Sequence, residues 1–171
     1  RNIFFNTRVK QIKLRGHLVQ SVIVNQNGQE KELAGTFFLS SMPIQELIDC
    51  MEGDIPKQVK KIAKELPYRN VRLAAFLLKK LKLKNTTKLK TYNHLIPDVW
   101  IYIQERGIKA GRMEIINNFS PYLVRKNKNQ VCITVEYFCS DAEEIWTQPD
   151  EIFLHMVFEE LIQMGIVSKD D

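Results

Sequence analysis

Over the first forty positions, apolar and polar residues alternate in a way that predicts a strand meander. Val9 and Ile12 mark the first strand, with a turn at Arg15-Gly16. Leu18, Val22 and Val24 alternate with polar neighbours as a second, half-buried strand does. Asn27-Gly28 predicts a tight hairpin, because both positions tolerate positive φ. A third strand follows at about 29–34. Thr36-Phe37-Phe38-Leu39 then reads as a continuous apolar strand, of the kind usually covered on both faces.

Helical spacing begins next. Ser40-Ser41-Met42-Pro43 leads into Ile44, Leu47, Ile48 and Met51, and proline suits the first turn of a helix, where its missing N–H costs nothing. A strand, two serines and a helix start aim N–H groups and hydroxyls at one point. Two readings stand for it: a phosphate contact at the helix start, or Ser41 acting only as a cap. Asp54 and Pro56 open a second helix over 57–66, with Val59, Ile62, Ala63 and Leu66 on one face and four lysines off it.

Strands are predicted at Val71–Leu78, Val99–Glu105, Arg112–Phe119 and Gln130–Cys139 on their β-branched and aromatic content. A last helix begins near Thr147, with Asp150 three residues on as a capping box, and stops at Gly165. Its polar stripe is Glu151, His155, Glu159 and Gln163, with His155 solvated. The remainder is so apolar that the helix is expected to be wedged between layers or to lack a neighbour. This order of elements argues an α+β fold, a mainly antiparallel sheet flanked by helices.

Composition narrows the classes. Of 171 residues, 44% are apolar and 26% charged, enough for a packed core. No apolar run approaches the ~18–20 residues that span a bilayer. The chain starts at Arg1 rather than Met, which leads us to expect a piece of a longer protein. Cys50, Cys132 and Cys139 form no CxxC, and the three histidines are scattered. Neither a metal site nor a disulfide framework is expected, and the setting is read as reducing and cytoplasmic. The net charge of +5 comes from residues 79–90, which hold six lysines and no acid. Elsewhere the charges nearly balance, so no nucleic-acid partner is expected. The lysine segment is read as an exposed hairpin or sheet edge, with a phosphate or anionic-membrane contact as the functional alternative.

The Gly-rich nucleotide signatures, HExxH and GxSxG are all absent. Cys139 reads as a structural thiol. Trp100, Tyr102, Arg112, Glu114, Asn117, Glu136 and Tyr137 gather on the later strands. Rings beside a guanidinium and an amide suit a sugar or diphosphate ligand. The same residues also suit a sheet with one face in the core and one in water.

Thr7-Arg8-Val9-Lys10-Gln11-Ile12 through Phe38-Leu39-Ser40-Ser41-Met42-Pro43 resembles the middle of flavin-dependent amine-oxidase-type proteins. Four later stretches resemble the protoporphyrinogen-oxidase-like and UDP-galactopyranose-mutase-like branch of that superfamily. They are Trp100-Ile101-Tyr102-Ile103, Gly111-Arg112 to Asn118-Phe119-Ser120-Pro121, Val135-Glu136-Tyr137-Phe138-Cys139, and Trp146 with Asp150-Glu151. The resemblance runs over nearly the whole chain, and order and spacing carry it.

The resemblance implies the substrate-side domain of an FAD-linked two-domain fold. Residues 1–55 would be a strand meander and strand-to-helix segment returning to the FAD domain, and 56–171 a substrate-binding sheet with flanking helices. FAD contacts fall on Val9, through its main chain, and on Ser41, Met42 and Pro43. Substrate contacts fall on Trp100, Tyr102, Arg112, Asn117 and Tyr137. No catalytic residue and no metal ligand is assigned. The implied activity is that of an FAD-dependent oxidoreductase or flavin-dependent mutase acting on a nucleotide sugar or polysaccharide precursor in cell-envelope biosynthesis. Its partner would be an FAD-binding domain of the same chain.

The family's Gly-rich amino-terminal unit and its carboxy-terminal Gly-Asp segment are absent from this sequence. Gly35-Thr36 replaces the acidic residue that often opens the Phe37-Phe38-Leu39 strand. Residues 1–171 alone are therefore expected neither to hold FAD nor to turn over. The alternative is a free-standing, non-catalytic binding module for carbohydrate or an anionic partner.

Overall fold

A computed structural model of the chain describes residues 2–120, 122–124 and 130–170; Arg1 and Pro121 lie outside them. The fold is α+β, with two four-stranded, mostly antiparallel sheets. These belong to two compact units, Arg1–Tyr68 and Arg69–Asp171.

In the first unit β1 (Thr7–Arg15), β2 (Leu18–Gln26) and β3 (Gln29–Ala34) form the meander that the alternation predicts. Asn27 and Gly28 have φ of 52° and 86°, the paired positive values of a type I′ turn. Asn25 Oδ1 accepts the Gly28 N–H at 3.0 Å and steadies that turn. Ile12 and Val24 supply the buried apolar positions of this sheet, and Ser21 is buried with them. Further along lie α1 (Ile44–Asp49), β4 (Met51–Glu52) and α2 (Lys57–Glu65).

Two expectations are corrected here. Met51 does not extend α1. The helix stops at Asp49, the Ile12 N–H donates to Cys50 O at 2.7 Å, and Met51-Glu52 pairs parallel with Ile12-Lys13. The free edge of β1 offers backbone partners that a further helical turn cannot supply. Thr36–Leu39 is likewise no strand: it joins neither sheet, and Phe37 and Leu39 are 90% and 101% exposed. A doubly covered strand needs a ladder partner and two packed faces, and no described element gives it either.

The sequence division after residue 55 would group α2 with the later strands. In the structure α2 packs with α1. The Gln45 side-chain amide donates to Lys64 O at 3.2 Å and Leu66 O at 3.0 Å, satisfying carbonyls at the end of α2.

The second unit is built on β5 (Asn70–Leu78), β6 (Trp100–Tyr102), β7 (Arg112–Ile115) and β8 (Val131–Cys139), in the order β5-β8-β7-β6. β5 and β8 pair without a break from Asn70↔Cys139 to Leu78↔Val131. β6 and β7 are shorter than predicted. β7 gives way to a short helix, α3 (Ile116–Phe119), because two asparagines take backbone partners of their own. Asn117 Nδ2 donates to Gln130 O at 3.0 Å, and its Oδ1 accepts the Cys132 N–H at 2.9 Å. Asn118 Nδ2 donates to Ile96 O and Asp98 O at 2.7 and 2.8 Å.

Two helices close the unit, α4 (Glu144–Thr147) and α5 (Asp150–Gln163). Thr147 ends α4 rather than capping α5. Pro149 stands at the α5 cap, and its ring breaks the two helices apart. Gly165 stops α5 as predicted, at φ 71°. There the Ile166 N–H donates to Leu161 O and the Gly165 N–H to Ile162 O, both at 2.9 Å, a Schellman closure.

Phe153, Val157 and Leu161 of α5 are buried with Met113, Ile115, Ile133 and Val135 of the sheet, and this is the core. The polar stripe of α5 is exposed, and so are Ile152 and Leu154. Residues 79–90 form no hairpin. They run irregularly, with Leu81 buried, Leu83 partly buried and every lysine exposed. No helix among the described residues is long and apolar enough to cross a membrane.

Candidate functional site

Strand register sorts the chemistry of the second unit onto two faces. Tyr102, Arg112 and Glu136 stand side by side across β6, β7 and β8, and Trp100, Glu114 and Thr134 form the adjacent row. Their neighbours Met113, Ile115, Ile133 and Val135 belong to the core. Successive strand residues alternate faces, so both rows lie on the face that α5 leaves open.

Arg112 is the centre of this face. Its Nε and Nη2 donate to Glu136 Oε2 at 2.7 and 2.5 Å. Its guanidinium carbon lies 5.4 Å from the Trp100 ring centre, 5.7 Å from Phe138 and 5.8 Å from Tyr102. Rings at that range attract a cation through their electron-rich faces. The Trp100 indole donates to Glu114 Oε1 at 2.6 Å, and the Thr134 hydroxyl donates to Glu114 Oε2. Phe119 meets Trp100 edge-on, with ring centres 5.5 Å apart.

Charge is held firmly here. Burial pushes the Glu114 carboxyl up, but the bonds from Thr134 and Trp100, the contact with Glu136 and the Arg112 charge outweigh it. Its pKa falls below the ordinary 4.5. The Tyr102 hydroxyl and the Glu136 carboxylate hold Arg112 above its own ordinary value. Gly111 lets the chain pass close to Phe138: a Cβ there would come within 2.7 Å of the ring. The set is a planar cation, stacking rings and carboxylate acceptors. Those are groups for holding a ligand.

Two of the expected substrate residues fall elsewhere. Asn117 spends both ends of its amide on the backbone at the start of β8. Tyr137 is 1% exposed on the α5 side, edge-on to Phe153 at 5.2 Å, and cannot reach the open face. Glu136 and Tyr137 are adjacent, so strand alternation sends them opposite ways. The pattern also hides Glu160, a buried acid that accepts from Tyr137 Oη at 2.7 Å and from the N–H groups of Lys109 and Ala110 at 2.8 and 3.1 Å. Its place beside Leu161, three residues past Val157, is the available signal: that is core spacing on a helix.

The fold of this chain has a solved counterpart. It is similar to the crystal structure of reduced UDP-galactopyranose mutase, with a TM-score of 0.59 and 14% identity over 97% of this chain. The match covers 32% of the other chain, so this chain spans about a third of that protein's length. At such identity the likeness is one of fold. No protein-family model matches the chain, and none of the curated proteins does.

The residues assigned to FAD lie in the first unit. Val9 pairs with Val24 in the β1–β2 ladder. Ser41 is exposed and caps nothing; Ser40 Oγ accepts the Met42 N–H at 3.2 Å, and Pro43 stands at the start of α1 without a side-chain cap. Arg8 and Glu46, 3.8 Å apart, link the strand end beside Val9 to the first turn of α1. A cleft lined by Phe4, Thr7, Val24, Gln26, Lys31 and Leu33 measures about 150 Å³, below the ~300–1,000 Å³ of drug-sized ligand pockets. Among the described residues, no cluster of three or more His, Cys, Asp or Glu could hold a metal ion.

Proposed function

We propose that this chain is the substrate-side part of a flavin-dependent mutase-like or oxidoreductase enzyme acting on a nucleotide sugar or polysaccharide precursor. One observation carries the reading: Arg112, framed by Trp100, Tyr102 and Phe138, on an open sheet face. A planar guanidinium forks onto phosphate while neighbouring rings stack on the base or sugar. The mutase-like fold and the family resemblance support it. In this reading FAD is bound by another part of the same polypeptide and supplies the redox or nucleophilic chemistry. Val9, Ser41, Met42 and Pro43 contribute to its adenosine end only in company with that part. Substrate is held by Trp100, Tyr102 and Arg112, in the cytoplasm, during synthesis of cell-envelope polysaccharide.

The test is titration of the chain with UDP and UDP-galactose, followed by tryptophan fluorescence and calorimetry. Both ligands are expected to bind, and Arg112→Lys to weaken them about tenfold, which is ~1.4 kcal/mol. A chain that gives no heat and no quenching at millimolar UDP would overturn the reading.

A further inference from the structure

The lysine-rich segment plays no part in that site, and its geometry carries a separate inference. We propose that residues 79–92 form a docking surface for an anionic phospholipid bilayer. Lys79, Lys80, Lys82, Lys84, Lys88 and Lys90 are all exposed, and no acid lies among them. None of them forms an ion pair with a described residue. Lys79 Nζ reaches only the Asp170 main-chain oxygen, at 3.2 Å. Charges outside the segment nearly balance, so the attraction for an anionic surface is concentrated here.

The segment is anchored at its base and shaped at its tip. Leu81 is buried and Leu83 partly buried in the core, and the Lys82 N–H donates to Ile166 O at 2.8 Å. Asn85 Nδ2 donates to Leu89 O at 2.9 Å and to Thr91 Oγ1 at 3.1 Å. Its Oδ1 accepts the Thr87 N–H and hydroxyl at 2.9 and 2.7 Å, and the Leu89 N–H donates to Thr87 Oγ1 at 3.2 Å. The tip thus satisfies several of its own polar groups and turns Leu89 outward, 64% exposed between Lys88 and Lys90.

Tyr92, also exposed, follows directly. Lysines that meet headgroups around a leucine and a tyrosine are the chemistry of a membrane interface. A nucleic acid would engage the lysines and leave Leu89 without a role.

The experiment is flotation of the chain with phosphatidylcholine vesicles, with and without phosphatidylserine, at low and high salt. Binding is expected only to the anionic vesicles, and is lost in high salt. The triple variant Lys84→Gln, Lys88→Gln, Lys90→Gln should bind roughly a hundredfold more weakly, about fivefold per lysine. Leu89→Ser, with its charge unchanged, should lose about tenfold. Circular dichroism checks that both variants stay folded. Absence of binding to phosphatidylserine vesicles would overturn the proposal. So would duplex DNA that binds as tightly as vesicles and is indifferent to Leu89→Ser.

Discussion

The Tyr137 hydroxyl donates to Glu160 at 2.7 Å beneath α5, one residue along β8 from a glutamate that faces the opposite way. With the N–H groups of Lys109 and Ala110, that hydroxyl gives one buried carboxylate three donors. Carboxylates are tolerated in a core on those terms. The bonds tie α5 to the turn that precedes Arg112, so the packed side of the sheet fixes the start of the strand that carries the open-face cation.

Tyr137→Phe leaves Glu160 its two main-chain donors and should cost about 1–1.5 kcal/mol in urea unfolding. Glu160→Ala strands all three donors and should cost about 3 kcal/mol or more. Equal losses would show that the phenol, rather than the main chain, is the chief support. Alkaline pH tests the same bond. Burial first, and then the Glu160 hydrogen bond and charge, raise the Tyr137 phenol far above its ordinary 10.0. An unfolded chain ionises this phenol near pH 10 and the folded chain only well above. Its contribution to stability is therefore whole below about pH 10 and declines as pH climbs beyond it. Tyr137→Phe should flatten the fall in stability measured above pH 10.

Glu136 pairs with the same guanidinium that is proposed to hold phosphate. Glu136→Gln should lower stability, since it takes the carboxylate from a half-buried guanidinium. It should also tighten UDP several-fold in the titration described above. Weaker UDP binding would show that Glu136 positions Arg112 instead of competing for it.

Gly111→Ala places a methyl within 2.7 Å of the Phe138 ring. That ring is half-exposed and can swing outward, so the expected cost is about 1–2 kcal/mol. In a Phe138→Ala background most of that cost should vanish. A double-mutant cycle with no coupling would place the strain elsewhere.

The isolated chain should purify colourless and show no FAD binding at micromolar concentration. Stoichiometric flavin absorbance in the purified chain would show that Val9 and the Ser41–Pro43 segment suffice.

Where one local cue dominates, sequence and structure agree. Asn27-Gly28 dictates its turn, Gly165 its helix stop, and the apolar runs of β5 and β8 their pairing. Trp100, Tyr102 and Arg112 share a face because their register is set by the β6–β7 hairpin, and residue type alone is enough to single them out. Residue type alone also groups Tyr137 with them, although its parity on β8 is opposite to that of Glu136. Asn117 and Asn118 look like strand residues until a distant backbone claims their amides. β4 is two residues long and exists only because β1 has an edge to give, which no window along the chain can register. Glu160 reads as a surface acid until its three donors, all far away in sequence, come together.

The unbroken ladder between β5 and β8 sets an order of assembly. Asn70 pairs with Cys139 and Leu78 with Val131, so the central strand of the second sheet leaves the ribosome long after the strand it must join. The hairpins of the first unit join neighbours in sequence and can close as soon as they are made. Until β8 arrives, β5 offers an unpaired edge, with Ala74 and Leu78, which the finished fold buries, still uncovered, the kind of surface that chaperones hold and aggregates recruit. The slow, non-local step in making this protein is the one that lays Glu136 beside Leu73.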